Sequence, residues 1–140
     1  MGLGFWAWDG TKWVKLLNGN SAWLSTGNTG MIDGTHYIGT TDNVPLNLKV
    51  NNQKAGRIDP TGPLFLGYQA GNNNTAYGNT GVGMSALKTN TTGNWNVAVG
   101  DSALLSNTTG EQNTAIGSNA LNDNTDGLLN TALGNNALYN

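Results

Sequence analysis

The sequence contains no cysteine and few charged residues. The absence of cysteine among its 140 residues excludes disulfide bonds and thiolate metal sites. Asp, Glu, Lys and Arg make up only 10% of the chain, and no basic stripe could neutralise nucleic-acid phosphates. No apolar run approaches the roughly 20 residues that span a membrane. We therefore expect neither a nucleic-acid partner nor a membrane span in this chain.

Residues that carry catalysis are also scarce. His36 is the only histidine, so any Ser–His triad or histidine-based metal site would depend on it. No G-x-S-x-G motif, the usual setting of a hydrolase nucleophile, is present. Gly81 to Ala86 fits the pattern G-x-G-x-x-A, but an Asn/Thr loop follows instead of the helix that a dinucleotide site needs. We expect no enzymatic activity, no cofactor and no metal site.

Glycine is abundant, with 21 copies, and many of these copies recur at a fixed spacing. Four similar segments follow one another at steps of 17 residues, and a more degenerate copy lies 16 residues before the first of them. Such a period is too short for a helical hairpin or a propeller blade, and it indicates one coil of a β-solenoid. The glycines that keep the step are predicted to lie where the chain turns out of a strand; they are Gly67, Gly83, Gly100, Gly117 and Gly134.

Each coil is predicted to hold two short strands and two turns. In the segment "NTAIGSNALNDNTDG", alternation places Thr114 and Ile116 on one side of the first strand and Ala115 on the other. Ala120 and Leu121 are predicted to form the second strand, with Leu121 on the side of Ile116, and either side could fill the roll. Stacked coils would align one asparagine per coil into a hydrogen-bonded ladder. That ladder would contain Asn79, Asn96, Asn113 and Asn130.

The first 62 residues have a different pattern. The stretch "FWAWDGTKWVKL" predicts a β-hairpin around Asp9-Gly10, a dipeptide typical of type I′ turns. A two-residue turn would place Trp8 opposite Thr11 and put Trp6, Trp8 and Trp13 on one face. Such a face is either a ligand-binding aromatic platform or a docking surface for the rest of the chain or a partner chain. A second hairpin is predicted at residues 46–58, with its turn near Asn51-Asn52.

Three regions follow from these patterns: a Trp-rich hairpin at 1–24, a β collar at 25–62 that caps the roll, and β-roll repeats at 63–140. The predicted fold class is all-β, a parallel β-solenoid with 17-residue coils. The coils end in mid-repeat at Asn140, so we expect this chain to be part of a longer protein.

The repeats "NVAVGDSAL", "NTAIGSNAL" and "NTALGNNAL" resemble those of trimeric autotransporter adhesin heads, the YadA-like left-handed parallel β-roll. The resemblance covers about residues 65–140. The segments "WDGTKWVKL" and "LFLGYQAGN" resemble the region before such repeats in bacterial surface proteins and tail-fibre-like proteins. The resemblance implies an intertwined or side-by-side homotrimer. The period of 17 is longer than the one usual in those heads, so each coil would carry a longer loop.

Uncharged strand faces support association independently, because an uncovered apolar β surface aggregates. The sequence therefore favours a non-enzymatic trimeric fibre segment, an adhesin head or a tail-fibre shaft, located outside the cell or in a virion particle. Its partners would be further copies of the chain and a host-cell glycan or protein. One alternative is a structural spacer without a ligand. Another is an ice-binding solenoid, although the column Thr80, Val97, Thr114, Thr131 is interrupted by valine.

Overall fold

The computed structural model describes residues 6–8, 10–11, 13–15 and 38–140. These ranges contain nine strands: β1 Trp6–Trp8, β2 Trp13–Lys15, β3 Leu46–Val50, β4 Gln53–Ile58, β5 Leu64–Leu66, β6 Thr80–Val82, β7 Val97–Val99, β8 Thr114–Ile116 and β9 Thr131–Leu133. No helix occurs in them, and so none that could cross a membrane. By their contacts, residues 1–39 and 40–140 form two separate units.

Strands β3 to β9 form one seven-stranded sheet, arranged as a β-solenoid of about four turns. β3, β4 and β5 pair antiparallel, and from β5 onward each strand pairs in parallel with the next. Thr80 pairs with Val97, which pairs with Thr114, which pairs with Thr131. The prediction of an all-β solenoid is confirmed, and equivalent repeat positions lie beside one another.

The N-terminal strands β1 and β2 pair antiparallel, but the predicted register is wrong. Trp8 lies opposite Trp13 instead of Thr11, and Trp6 lies opposite Lys15. The reason is the length of the connection: four positions separate the paired residues Trp8 and Trp13, and the predicted turn allows only two. The side chains of these strands, and His36, lie outside the described residues.

The second predicted hairpin is confirmed, with β3 and β4 joined at Asn51 and Asn52. Both asparagines have positive φ, 47° and 57°, as a type I′ turn requires. β4 then lies along β5, the first strand of the solenoid, and the Lys54 ammonium donates a hydrogen bond of 2.7 Å to the Asn72 carbonyl. The hairpin thereby covers the first edge of the parallel strands, which would otherwise be open to further pairing.

The second strand that was predicted in each coil is absent. Ala120 and Leu121 lie in consecutive turns instead, because Asn119 and Leu121 adopt the left-handed conformation with φ of 55° and 50°. Ser102 and Leu104 do the same one coil earlier, with φ of 56° and 50°. The curled segments still hydrogen-bond from coil to coil, for example from the Leu121 amide to the Ala137 carbonyl at 3.0 Å.

This curl decides which side chains fill the roll. In an extended strand Ala120 and Leu121 would point to opposite sides, but here both are buried, together with Ala115. Ile116 is 40% exposed, so the prediction that Leu121 shares its side is wrong. The interior is therefore narrow, with two alanines and one leucine in a typical coil. These residues are Ala98, Ala103, Leu104, Ala115, Ala120 and Leu121.

The first coil is packed differently. Phe65 occupies the middle strand position, where the next coil has Gly81 and the coils after it have alanine, and it is 2% exposed. Space for its ring comes from two glycines: a Cβ on Gly71 would lie 2.5 Å from the ring, and one on Gly81 2.8 Å from it. Gly71 stands where later coils have the buried leucine. One aromatic ring thus replaces a leucine and two methyl groups.

The repeat glycines lie directly after the strands and have φ between 122° and 138°. A Cβ on Gly117 would overlap the carbonyl oxygen of Gly134 in the next coil, and Gly83 and Gly100 have the same relation to their successors. Gly134 has φ of 122° but no atom near the position of its Cβ. Glycine is therefore needed for two separable reasons, conformation and close approach.

We expect Gly117→Ala to lower the free energy of unfolding by at least about 2 kcal/mol, because left-handed strain of roughly 1–2 kcal/mol adds to the overlap with Gly134. Gly134→Ala is the matched control, since it carries the strain without the overlap. Urea unfolding followed by circular dichroism measures both variants. Equal losses for the two would show that close approach contributes nothing.

Candidate functional site

The predicted asparagine column lies inside the solenoid. Asn79, Asn96 and Asn113 are fully buried, and Asn130 is partly buried. The backbone amide of each successor donates to the side-chain oxygen of its predecessor, at 2.8, 3.0 and 2.9 Å. The side-chain amides of the first three donate in turn to a glycine carbonyl of the following loop, at 2.7 to 2.8 Å. The column therefore ties both backbone and side chain of neighbouring coils together.

A second column of asparagines was missed by the sequence interpretation. Its amides form an uninterrupted chain: Asn90 donates to Asn74 at 2.6 Å, Asn107 to Asn90 at 2.8 Å, and Asn124 to Asn107 at 2.8 Å. Asn90 and Asn107 are fully buried. The signal was present in the sequence, because "NTTG" and "NTDG" keep asparagine three residues before glycine in three successive loops. The sequence pattern alone predicts only a loop at these segments.

The two columns meet at shared glycine carbonyls. The Gly110 oxygen accepts from Asn96 at 2.8 Å and from Asn107 at 3.0 Å. Gly93 and Gly127 receive the same pair of donors in their coils. A Cβ on Gly110 would overlap the Asn107 side chain, so the loop glycine is required by space. These glycines were not among the predicted structural residues.

The outer face of the parallel strands carries no charge. The middle residue of every strand from β5 to β9 is buried, and the flanking residues face outward. Of these ten outward positions, seven are Leu, Val or Ile and three are Thr. We call this the outer sheet face; its residues are Leu64, Leu66, Thr80, Val82, Val97, Val99, Thr114, Ile116, Thr131 and Leu133. Exposure reaches 54% at Leu66 and 76% at Leu133.

Residues 40–63, which precede strand β5 and which we call the cap, carry the one ion pair found among the described residues. Arg57 contacts Asp59, whose side chain is only 7% exposed. Burial would raise the pKa of Asp59, but hydrogen bonds from Thr61 and Arg57 and the guanidinium charge outweigh it, and the pKa lies below its usual value. Burial, and after it the charge of Arg57, lowers the pKa of Lys54.

No group of residues suited to a metal ion occurs in the described part of the chain. Asp123 and Asp126 lie in the loop of one coil and do not gather further acidic ligands. The predicted aromatic platform of Trp6, Trp8 and Trp13 stays a prediction, because its side chains are outside the described residues. Within residues 38–140, the candidate functional features are therefore the outer sheet face and the two asparagine columns.

We expect Asn113→Ala to lower the free energy of unfolding by about 3 kcal/mol or more, because it leaves the Asn130 amide, the Gly127 carbonyl and the Asn96 oxygen without this partner. Asn135→Ala, at an exposed position, is the control and should change stability by less than about 0.5 kcal/mol. Denaturant unfolding of both variants checks the expectation. A loss at Asn113 no larger than the control would exclude a stabilising ladder.

Comparisons of the chain with known proteins found no matching family model, no matching curated protein and no matching solved structure. Function is therefore inferred from the residues and their geometry.

Proposed function

We propose that this chain is a non-enzymatic segment of a homotrimeric fibre, an adhesin head or a tail-fibre shaft, that carries a cell-attachment surface outside the cell. Its coils would be 17-residue turns of a left-handed β-roll, with three rolls side by side or intertwined. The partners are two further copies of the chain and a host-cell glycan or protein. The observation that carries the proposal is the outer sheet face.

The outer sheet face is suited to association for two reasons. Its leucine, valine and isoleucine side chains form a continuous surface, since strands β5 to β9 are paired in register. Burying that surface against another protein is favourable, because apolar area leaves water and no charge has to be desolvated. Three copies arranged around one axis would cover the same patch on each chain in a closed way.

A structural spacer without its own ligand is the second candidate, and the asparagine ladders favour it. They run through successive coils and join each coil to the next by side-chain as well as backbone hydrogen bonds. A rod built in this way resists bending whether or not it binds a receptor. The ice-binding alternative is weaker, because the paired column Thr80, Val97, Thr114, Thr131 contains valine.

We expect sedimentation equilibrium to give a mass three times the 14.6 kDa of the chain. Ile116→Lys should raise the dissociation constant of the trimer by at least about 100-fold, because it buries an ammonium group without a partner. Thr109→Lys adds the same charge at an exposed loop position and serves as the control.

A stable, soluble monomer of the unchanged chain would refute the homotrimer. If Thr109→Lys dissociated the trimer and Ile116→Lys did not, the contact surface would be the loops and not the outer sheet face. Binding of the intact trimer to host cells then distinguishes the attachment role from the spacer role, since a spacer gives no saturable binding.

A further inference from the structure

A cleft of about 330 Å³ lies between the cap and the loop of the first coil. Its volume falls at the lower end of the range of small-ligand sites, roughly 300–1,000 Å³. Residues from the cap form one side of the cleft, and the loop that ends at Tyr77 forms the other. The lining residues used below are Asn43, Arg57, Asp59 and Tyr77.

The cleft carries an ion pair but no net charge. The Nε and Nη2 atoms of Arg57 both donate to Oδ2 of Asp59, at 2.9 and 2.5 Å. Oδ1 of Asp59 accepts from the backbone amide and the hydroxyl of Thr61, at 2.9 and 2.6 Å. The carboxylate is thus engaged on both oxygens, while Nη1 of Arg57 has no hydrogen bond within the described residues. A fixed donor therefore remains without an excess positive charge.

An exposed aromatic ring lines the same cleft. Tyr77 is 63% exposed, and its hydroxyl makes no hydrogen bond in the described part of the chain. The backbone of Tyr77 is nevertheless held on both sides. Its amide donates to the Asn94 side chain at 3.0 Å, and its carbonyl accepts from the Trp95 amide at 3.2 Å. The ring is presented from a hydrogen-bonded coil, so placing it against a ligand costs little backbone ordering.

Asn43 completes the set on the cap side of the cleft. Its side chain makes no hydrogen bond among the described residues, and an amide offers both two donors and an acceptor. Together the three free groups combine one aromatic face, one donor of a guanidinium and one amide that both donates and accepts. This mixture of an apolar surface with a few convergent polar groups is typical of ligand sites.

We infer that this cleft binds an uncharged saccharide. The C–H face of a sugar ring is apolar and would pack on Tyr77, while hydroxyl groups can accept from Arg57 and exchange hydrogen bonds with Asn43. A phosphate or a carboxylate is disfavoured, because Asp59 neutralises the only cation of the lining. The inference rests on the proposed attachment function, for which it names a ligand class. The site itself does not depend on the trimer, because all its residues belong to one chain.

The test uses the whole chain in its native assembly. Methyl α-galactoside and N,N′-diacetylchitobiose are the neutral probes, and N-acetylneuraminic acid and inorganic phosphate are the acidic ones. Saturation-transfer NMR detects binding at millimolar probe, and titration gives the dissociation constant. Tyr77→Ser should raise that constant for a neutral probe at least about tenfold. Tyr139→Ser, which removes another exposed tyrosine, should leave it unchanged.

Asn43→Ala provides a second variant whose folding is not in question, because the exposed side chain makes no internal hydrogen bond; it should also weaken binding. The inference is overturned if no neutral probe binds, if binding survives both changes, or if only the acidic probes bind. Sedimentation of the same samples reports the oligomer separately. If the unchanged chain binds saccharide but is not a trimer, the proposed fibre is refuted and the saccharide site stands. If it is a trimer but binds no neutral saccharide, only the saccharide site is refuted.

Discussion

Buried asparagine amides that converge on glycine carbonyls hold this solenoid together. A typical coil contributes only two alanines and a leucine to the interior, and so little apolar volume cannot by itself fix the path of the coil. The two amide columns supply what the apolar interior lacks, because each side chain bridges to its neighbour coil and to the loop glycine of its own turn. Among the described residues, no buried side-chain donor or acceptor is left without a partner. A half-satisfied network would be worse than an apolar filling, so the columns stabilise only when complete.

The sequence predicted the one strand that each coil has and the stacking of the coils, because both depend on features that recur visibly. The 17-residue step placed strands β6 to β9 at equivalent positions, and Asn51-Asn52 marked the turn of the second hairpin without any tertiary information. The curl at Leu104 and Leu121 could not be predicted in the same way. Leucine in the left-handed conformation contradicts its intrinsic preference, and the hydrogen bonds between coils offset this backbone strain. The same curl explains why the prediction that Leu121 lies on the side of Ile116 is wrong.

The second asparagine column shows a different limit of sequence reasoning. Asparagine, threonine and glycine are residues of exposed turns, and nothing local distinguishes a turn that faces water from one that folds into a stack. The distinction is made by the neighbouring coil, which supplies the partner amide. The residues of the candidate ligand site could not be predicted either, because only the fold brings them together. The cleft beside Tyr77 combines residues from positions 43 to 77, and no spacing rule in the sequence links them.

Phe65 gives the stack a defined beginning. Coils filled by alanine and leucine are nearly interchangeable, so a chain that skipped one coil during folding would find a pairing almost as good as the correct one. The ring of Phe65 fits only where glycine stands at both Gly71 and Gly81, and this combination occurs once among the described coils. Every later coil then follows in sequence from that first placement. A single bulky residue in the first coil thus sets the register of an otherwise repetitive chain. Coils can then be added or lost after the later strands without disturbing the cap.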